Sequence, residues 1–372
     1  MPAHSNPFRR VKKQMLQFIT RRLILLLPVL LGMLLVTFLI VRLIPGDPCI
    51  AMLGERATPE KCEAFKERFG LNDNLFVQFF RYVGNIASGD FGTSIRFGRP
   101  VTEIVAERLP MTIELTMGAM TFATLVGISL GVIAALNRNS IADVLTMLIA
   151  NTGVSMPVFW LGLMLAYVFA LLLKDTPFFI PPSGRLTSGI SVTSLFEVWG
   201  MENLSGFPKF FISILSNSVL FNSLVTGNLT TFRDALWHLI LPSLAVGTIP
   251  LCITARMTRS SLLEVLGQDY IRTARAKGLN DKLVIRKHAM RNAWIPIVTI
   301  IGLEFGSLLS GAVLTETVFA LPGVGTSLVQ AIMARDYPVV QGFTIMVALI
   351  FITVNLIVDL SYAYLDPRIR LE

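Results

Sequence analysis

Long apolar runs separated by short charged stretches dominate the chain. Six of them, at 23–43, 112–136, 144–173, 237–257, 294–317 and 342–364, are long enough to cross a hydrocarbon core, which takes about 20 residues of helix. They predict an all-α integral membrane protein with six transmembrane helices. A seventh run, 210–226, is interrupted by Asn217, Ser218, Asn222 and Ser223. Counting it as a span would move the strongly basic 258–293 loop to the opposite side, so it reads as an interfacial or re-entrant helix.

Six spans return both termini to one compartment. The basic tail 1–22, Arg138, the 258–293 loop and the tail 365–372 with Arg368 and Arg370 share it, and the excess of positive charge marks it as the cytoplasm. The expected layout is therefore a cytoplasmic tail (1–22), a first transmembrane helix (23–43), an extracytoplasmic cap (44–111) and a five-helix core (112–364), then the cytoplasmic tail. The core carries an extracytoplasmic insertion at 174–236 and the cytoplasmic loop at 258–293. The first run is too long for a signal peptide and no small-residue cleavage site follows it. In the cap, Thr58-Pro59-Glu60 has the form of a helix start, Cys62, Phe65 and Phe69 share a face, and Gly70 can end the helix. The absence of a strong internal repeat weakens an inverted-repeat transporter.

Composition sharpens this picture. Hydrophobic residues make up 53% of the 372 and charged residues only 15%, against about 25% charged in soluble domains. The net charge of +8 flanks the apolar runs instead of mixing with aromatics, so it sets topology and does not indicate nucleic acid. No Walker A loop is present: GRLTSGIS (184–191) and GVGTSLV (323–329) lack the Lys-Ser/Thr pair that a phosphate cradle needs. Any energy the chain uses must then come from another chain or an ion gradient. No nucleophile, metal-ligand or paired-carboxylate cluster supports an enzyme.

Within the spans, Glu304 and Asp359 are candidates for the solute pathway, since ionisable groups there are costly and tend to be functional. The competing reading pairs each with a polar neighbour at a helix interface or lets it reach the headgroups. Glu114, Arg256 and Glu316, near span ends, read as anchors or local partners. Gly302, Gly306 and Ser310 form a small-residue packing stripe, and Pro157, Pro242, Pro250 and Pro296 can bend or start helices. Cys252 reads as a buried small hydrophobe. Cys49 and Cys62, both in the cap, are expected to form a disulfide, and their spacing does not fit a zinc site.

The loop at 269–296 carries the most information. Ala274 and Ala276 favour helix, Gly278 allows a left-handed turn, and Asn280 can cap a second helix beginning at Asp281. The expectation is a bent helical pair whose small residues at 274 and 276 let another surface come close, ringed by Arg272, Arg275 and Lys277. Charge alone also fits a plain basic loop that touches lipid headgroups.

Several motifs in order resolve that ambiguity. RRLILLLPVLLGMLLVTFLIVRLIPGDP (21–48), GDFGTSI (89–95), RLPMTIEL (108–115), TARAKGL (273–279), ETVFALPGVG (316–325), RDYPVVQG (335–342) and LDPRIR (365–370) resemble the dipeptide/oligopeptide branch of ABC-type importer permeases, in particular its B-type subunit. Arg272 and Thr273 stand where the general pattern has a glutamate and its first alanine, and Arg291 stands near an expected proline. The resemblance implies a type I ABC importer permease fold. It also implies that Asp269, Tyr270, Arg272, Thr273, Ala274, Arg275, Ala276, Lys277, Gly278 and Leu279 form a coupling helix that sits in a groove of an ATPase. The implied partners are a C-type permease subunit, two ABC ATPase subunits carrying ATP and Mg, and an extracytoplasmic peptide-binding protein or lipoprotein, in a prokaryotic plasma (inner) membrane. No cofactor is implied on this chain. An ion-coupled secondary transporter, or an ABC permease for a nickel complex, glutathione, haem or an oligosaccharide, are the alternatives.

Overall fold

The computed structural model describes residues 20, 21, 24, 25, 27–39, 49, 50, 54, 57–68 and 70–365, with side chains except at 68, 310, 311 and 358–365. Among these the secondary structure is helical, with one isolated bridge between Thr93 and Pro100. Buried backbone polar groups in a bilayer must be satisfied within the chain, which helices do residue by residue. Two compact units are formed, one from Met1–Val105 with Leu328–Glu372 and one from Ala106–Ser327.

The first unit contains α1 (Leu27–Leu39), α2 (Pro59–Arg68) and α3 (Leu75–Ala87). Helix α2 starts where expected: the Thr58 hydroxyl accepts the Lys61 N–H at 3.4 Å. It ends at Gly70, in left-handed backbone at φ +62. There the Leu71 N–H reaches the Lys66 carbonyl at 2.8 Å and the Gly70 N–H the Glu67 carbonyl at 3.0 Å, the paired bonds of a Schellman ending. Phe65 is buried; Phe69 lies outside the described residues. Cys49 and Cys62 are joined by a disulfide with Cα atoms 5.4 Å apart. The carboxylate of Asp336, which is 1% exposed, accepts the Ser94 hydroxyl and the N–H groups of Ile95 and Arg96, both at 3.1 Å. The motifs GDFGTSI and RDYPVVQG are thus one hydrogen-bonded joint.

Most of the second unit is arranged around one long helix. In chain order it has α4 (Val101–Leu136, whose first turn belongs to the first unit), α5 (Ile141–Ser155), α6 (Val158–Ala166) continued by a wider turn at Tyr167–Leu172, α7 (Leu195–Trp199), α8 (Gly206–Asn217), α9 (Val219–Val225) and α10 (Leu229–Leu266). After these come α11 (Asp269–Ala276), α12 (Asp281–Leu283), α13 (Met290–Gly311), α14 (Val313–Val318) and α15 (Val324–Met333); α16 (Tyr337–Leu365) returns to the first unit. Helix α10 is the spine, touching α5, α6, α9, α13 and α14. Its approach to α4 is close enough to require small residues: a Cβ at Gly127 would stand 2.8 Å from the Leu251 carbonyl oxygen, and one at Gly131 2.6 Å from that of Ala255. Below this crossing Met111, Leu115, Leu241, Ala245, Phe319 and Leu321 share a core.

Among the described residues four helices are long and apolar enough to cross a membrane, Val101–Leu136, Leu229–Leu266, Asp281–Leu309 and Tyr337–Ile357. The expected 144–173 span departs from the sequence reading: it is two helices, α5 and α6, meeting at 100°. Pro157 explains the break, since it forces the residue before it out of helical backbone, and Met156 is extended at φ −100 and ψ 133. The 210–226 run falls on α8 and α9, 12 and 7 residues long, neither of which can reach across a bilayer. Of the first run, 23–43, the described helix covers Leu27–Leu39.

The disulfide sets a labelling pattern. Of the three cysteines, unfolded but unreduced protein should take one maleimide, at Cys252, and three after reduction. Three labels without reductant would mean that the cap cysteines are unpaired.

Candidate functional site

The 269–283 loop is fastened to its own molecule before it meets anything else. On α11, Ile271 is fully buried and Ala274 is 8% exposed; spaced three residues apart they lie on one face. That face packs on Leu262 of α10 and on Val284, Ala289, Ala293 and Ile297, which lead into α13. Burying the Ile271 side chain contributes roughly 2 kcal/mol. Ala274 therefore has a different task from the one expected of it. Its small size admits the helix to the protein's own core and does not open a surface to a partner.

The bend is locked by backbone. Gly278 stands at φ +76; the Leu279 N–H bonds the Ala274 carbonyl at 3.4 Å and the Gly278 N–H that of Arg275 at 2.9 Å, closing α11 with a Schellman ending. Asn280 then caps the next helix through its side-chain oxygen, which accepts the Lys282 N–H at 2.9 Å. Arg275 reaches Asp281 across the bend at 3.1 Å, an exposed pair that adds at most about 1 kcal/mol. The Asn292 amide donates to the Tyr270 hydroxyl at 2.6 Å. What remains outward is Tyr270, Arg272, Thr273, Ala276, Lys277 and Leu279, all exposed. The result is a rigid knob with two apolar contacts, Tyr270 and Leu279, in a basic surround.

Two turns before its end at Leu266, α10 is tied to the start of the broken span. The Arg259 guanidinium meets Asp143 with two bonds, Nε at 2.7 Å and its terminal amine at 2.8 Å. The Asn139 N–H donates to the same carboxylate at 3.0 Å, and Ser140 caps α5. Two-point Arg–carboxylate pairing fixes orientation as well as distance.

The carboxylates at the other span ends are joints. Glu114, buried, accepts Arg185 at 2.7 Å, the Ser218 hydroxyl at 2.8 Å and the Leu220 N–H at 2.8 Å, so it holds the α8–α9 break. Glu316, fully buried, accepts the Thr112 hydroxyl at 2.6 Å and the Thr326 N–H at 2.9 Å, while the Thr112 oxygen accepts the Val324 N–H at 2.9 Å. The first turn of α15 is thereby capped from α14 and α4. A Cβ at Gly323 would lie 2.3 Å from the Glu316 carboxyl, which accounts for glycine at that place in ETVFALPGVG. Both glutamates thus sit among local partners; Arg256 is exposed.

The two pathway candidates belong to different units. Glu304 is half-buried on α13, and it has no hydrogen-bond or ion-pair partner among the described residues. Asp359 is in α16, but its side chain lies outside those described. A cavity of about 820 Å³ between α4, α8, α9 and α10 is walled mostly by apolar side chains such as Met117, Leu125, Phe221 and Leu236, and Glu304 does not line it. Among the described residues no group of three or more His, Cys, Asp or Glu side chains could hold a metal ion.

Comparison with known proteins gives a consistent result. Residues 127–371 match the family described as binding-protein-dependent transport system inner membrane component, and residues 15–116 match the N-terminal family of the same systems. The chain is 46% identical over 356 residues to a dipeptide transport system permease protein of Alkalihalophilus pseudofirmus, covering 96% of this chain and 100% of the relative. It is 45% identical over 357 residues to the dipeptide transport system permease protein of Escherichia coli K12, covering 96% and 99%. A glutathione transport system permease protein of Salmonella paratyphi A is 38% identical over 356 residues, again covering 96% and 99%.

The Glu316 joint makes a quantitative expectation. Glu316→Ala strands the Thr112 hydroxyl and the Thr326 N–H, and each stranded buried donor costs about 1–3 kcal/mol. Because Thr112→Val breaks the same network, the double variant should lose less stability in detergent unfolding than the sum of the singles. Strict additivity would show that the two residues act separately.

Proposed function

The chain belongs to the family of inner membrane components of binding-protein-dependent transport systems, and on that premise we propose that it imports di- and oligopeptides as the permease subunit of an ATP-driven complex. It is not itself an enzyme. The observation that carries the cargo is near full-length identity to dipeptide permeases, higher than to the glutathione permease. An ion-coupled carrier is not favoured.

In this reading the chain forms half of the translocation pathway beside a C-type permease subunit. Two ABC ATPase subunits supply ATP and Mg chemistry, and an extracytoplasmic binding protein or lipoprotein delivers the peptide. The 269–279 loop faces the cytoplasm of a prokaryotic inner membrane, with both termini on that side. Its outward residues seat in a groove of an ATPase subunit. Its rigidity supports this role, because a docked helix transmits displacement only if it does not deform against its own domain. The Asp143–Arg259 pair then carries the movement from α10 into α5 and the bend at Pro157. For the pathway, Glu304 and Asp359 remain the candidates of this chain: Glu304, a carboxylate within a span and without an ion-pair partner among the described residues, suits a peptide's amino group.

Two kinds of substitution separate docking from folding. Gly278→Pro cannot adopt positive φ, and Ala276→Trp adds bulk to an exposed face. In proteoliposomes holding the whole complex, both should cut peptide uptake at least about tenfold, equal to 1.4 kcal/mol, while ATP hydrolysis persists. Ala274→Leu should instead lower the unfolding midpoint, since overpacking a core costs about 1–3 kcal/mol. Normal coupled uptake in both loop variants would remove the loop from the mechanism. Loss of peptide uptake with retained transport of another solute would change only the cargo.

A further inference from the structure

Helix α3 presents more apolar surface than the protein covers. One face is docked: Phe79 meets Phe38 of α1 edge-on with ring centroids 5.3 Å apart, and Tyr82 lies 5.9 Å from the same ring. Phe38 is 1% exposed beneath them. A second face is bare, with Phe76 75%, Phe80 70% and Val77 49% exposed. The third is polar, carrying Asn85 and Arg81, the latter paired to Asp73 at 2.7 Å. Positions 76, 80 and 77 fall together on a helical wheel, between the docked face and the polar one.

The level at which this helix sits follows from its contact. Phe38 lies on α1 (Leu27–Leu39), toward the end of the apolar run 23–43; the neighbouring Leu35, Val36 and Leu39 are exposed, as lipid-facing side chains of a span are. Through this contact α3 packs on α1 near the end of that apolar run. An amphipathic helix held there, with its charged side turned away, has the arrangement of a helix lying in the membrane interface. Left in water, two phenylalanines exposed to this extent form an apolar patch that soluble surfaces avoid.

We propose that α3 lies in the headgroup region of the leaflet at which the 23–43 run ends, with Phe76 and Phe80 inserted among the upper acyl chains. The occupant of the bare face is lipid. The helix thereby anchors the disulfide-bearing segment before it to the membrane surface, and Arg81 and Asn85 face water.

Spin labels test the placement in the assembled transporter in lipid nanodiscs. With Cys252→Ala removing the free thiol, Phe80→Cys and Asn85→Cys are labelled in turn, and Phe76→Cys repeats the test one turn earlier. At 80 and 76 the label should collide with oxygen far more often than with a water-soluble nickel chelate, giving a ratio severalfold above that at 85. Equal chelate access at 80 and 85 would put the face in water, and protection from both reagents would put a protein on it. Either outcome overturns the proposal.

Discussion

The inward stripe of Ile271 and Ala274 makes the loop after α10 part of the membrane core. Without it, α11 would be eight residues of basic helix, too short to persist alone, joined to α10 through Gly267 and Gln268. With it, the helix, the Schellman turn at Gly278 and the capped start at Asn280 form one piece with α10 and α13. Arg272, Lys277, Tyr270 and Leu279 are then displayed in fixed positions.

Buried carboxylates do the joining elsewhere. Asp336, Glu114, Glu316 and Asp143 each sit where helices begin or end, and each accepts bonds from backbone N–H groups as well as side chains. Such ends leave donors that the helix cannot satisfy itself, and in an apolar environment an unmet donor is costly. A carboxylate placed there satisfies several at once and fixes the angle between elements. Polar residues within an apolar chain thus serve architecture at these four sites, and Glu304 has no such bond among the described residues.

How much of this was legible in the sequence depended on the range of the interaction. The helix start at Thr58, the glycine endings at Gly70 and Gly278 and the cap at Asn280 are local, and residues within six positions decide them. The apolar lengths marked the spans, but the break at Pro157 was not separable from a tolerated bend, because Pro242 and Pro250 sit inside an unbroken α10. Pairings across long separations were invisible: Asp143 with Arg259 is 116 residues apart, and Glu316 with Thr112 is 204. Ala274 shows the same limit at short range. Its size was read as room for a partner, and only the packing of α11 tells that the room is used internally. The motifs GDFGTSI and ETVFALPGVG were recognisable as strings, yet the reason for their aspartate-joined turn and their glycines lies in contacts with distant segments.

The most direct test of the loop as the input of mechanical work is contact in the working complex. A photoreactive amino acid at Leu279, on the exposed side of the turn, should cross-link to an ATPase subunit on irradiation, with a yield that changes between nucleotide-free and ATP-trapped states. Cross-links confined to lipid, or modification of position 279 by an impermeant reagent added from the outside of intact cells, would contradict the assignment.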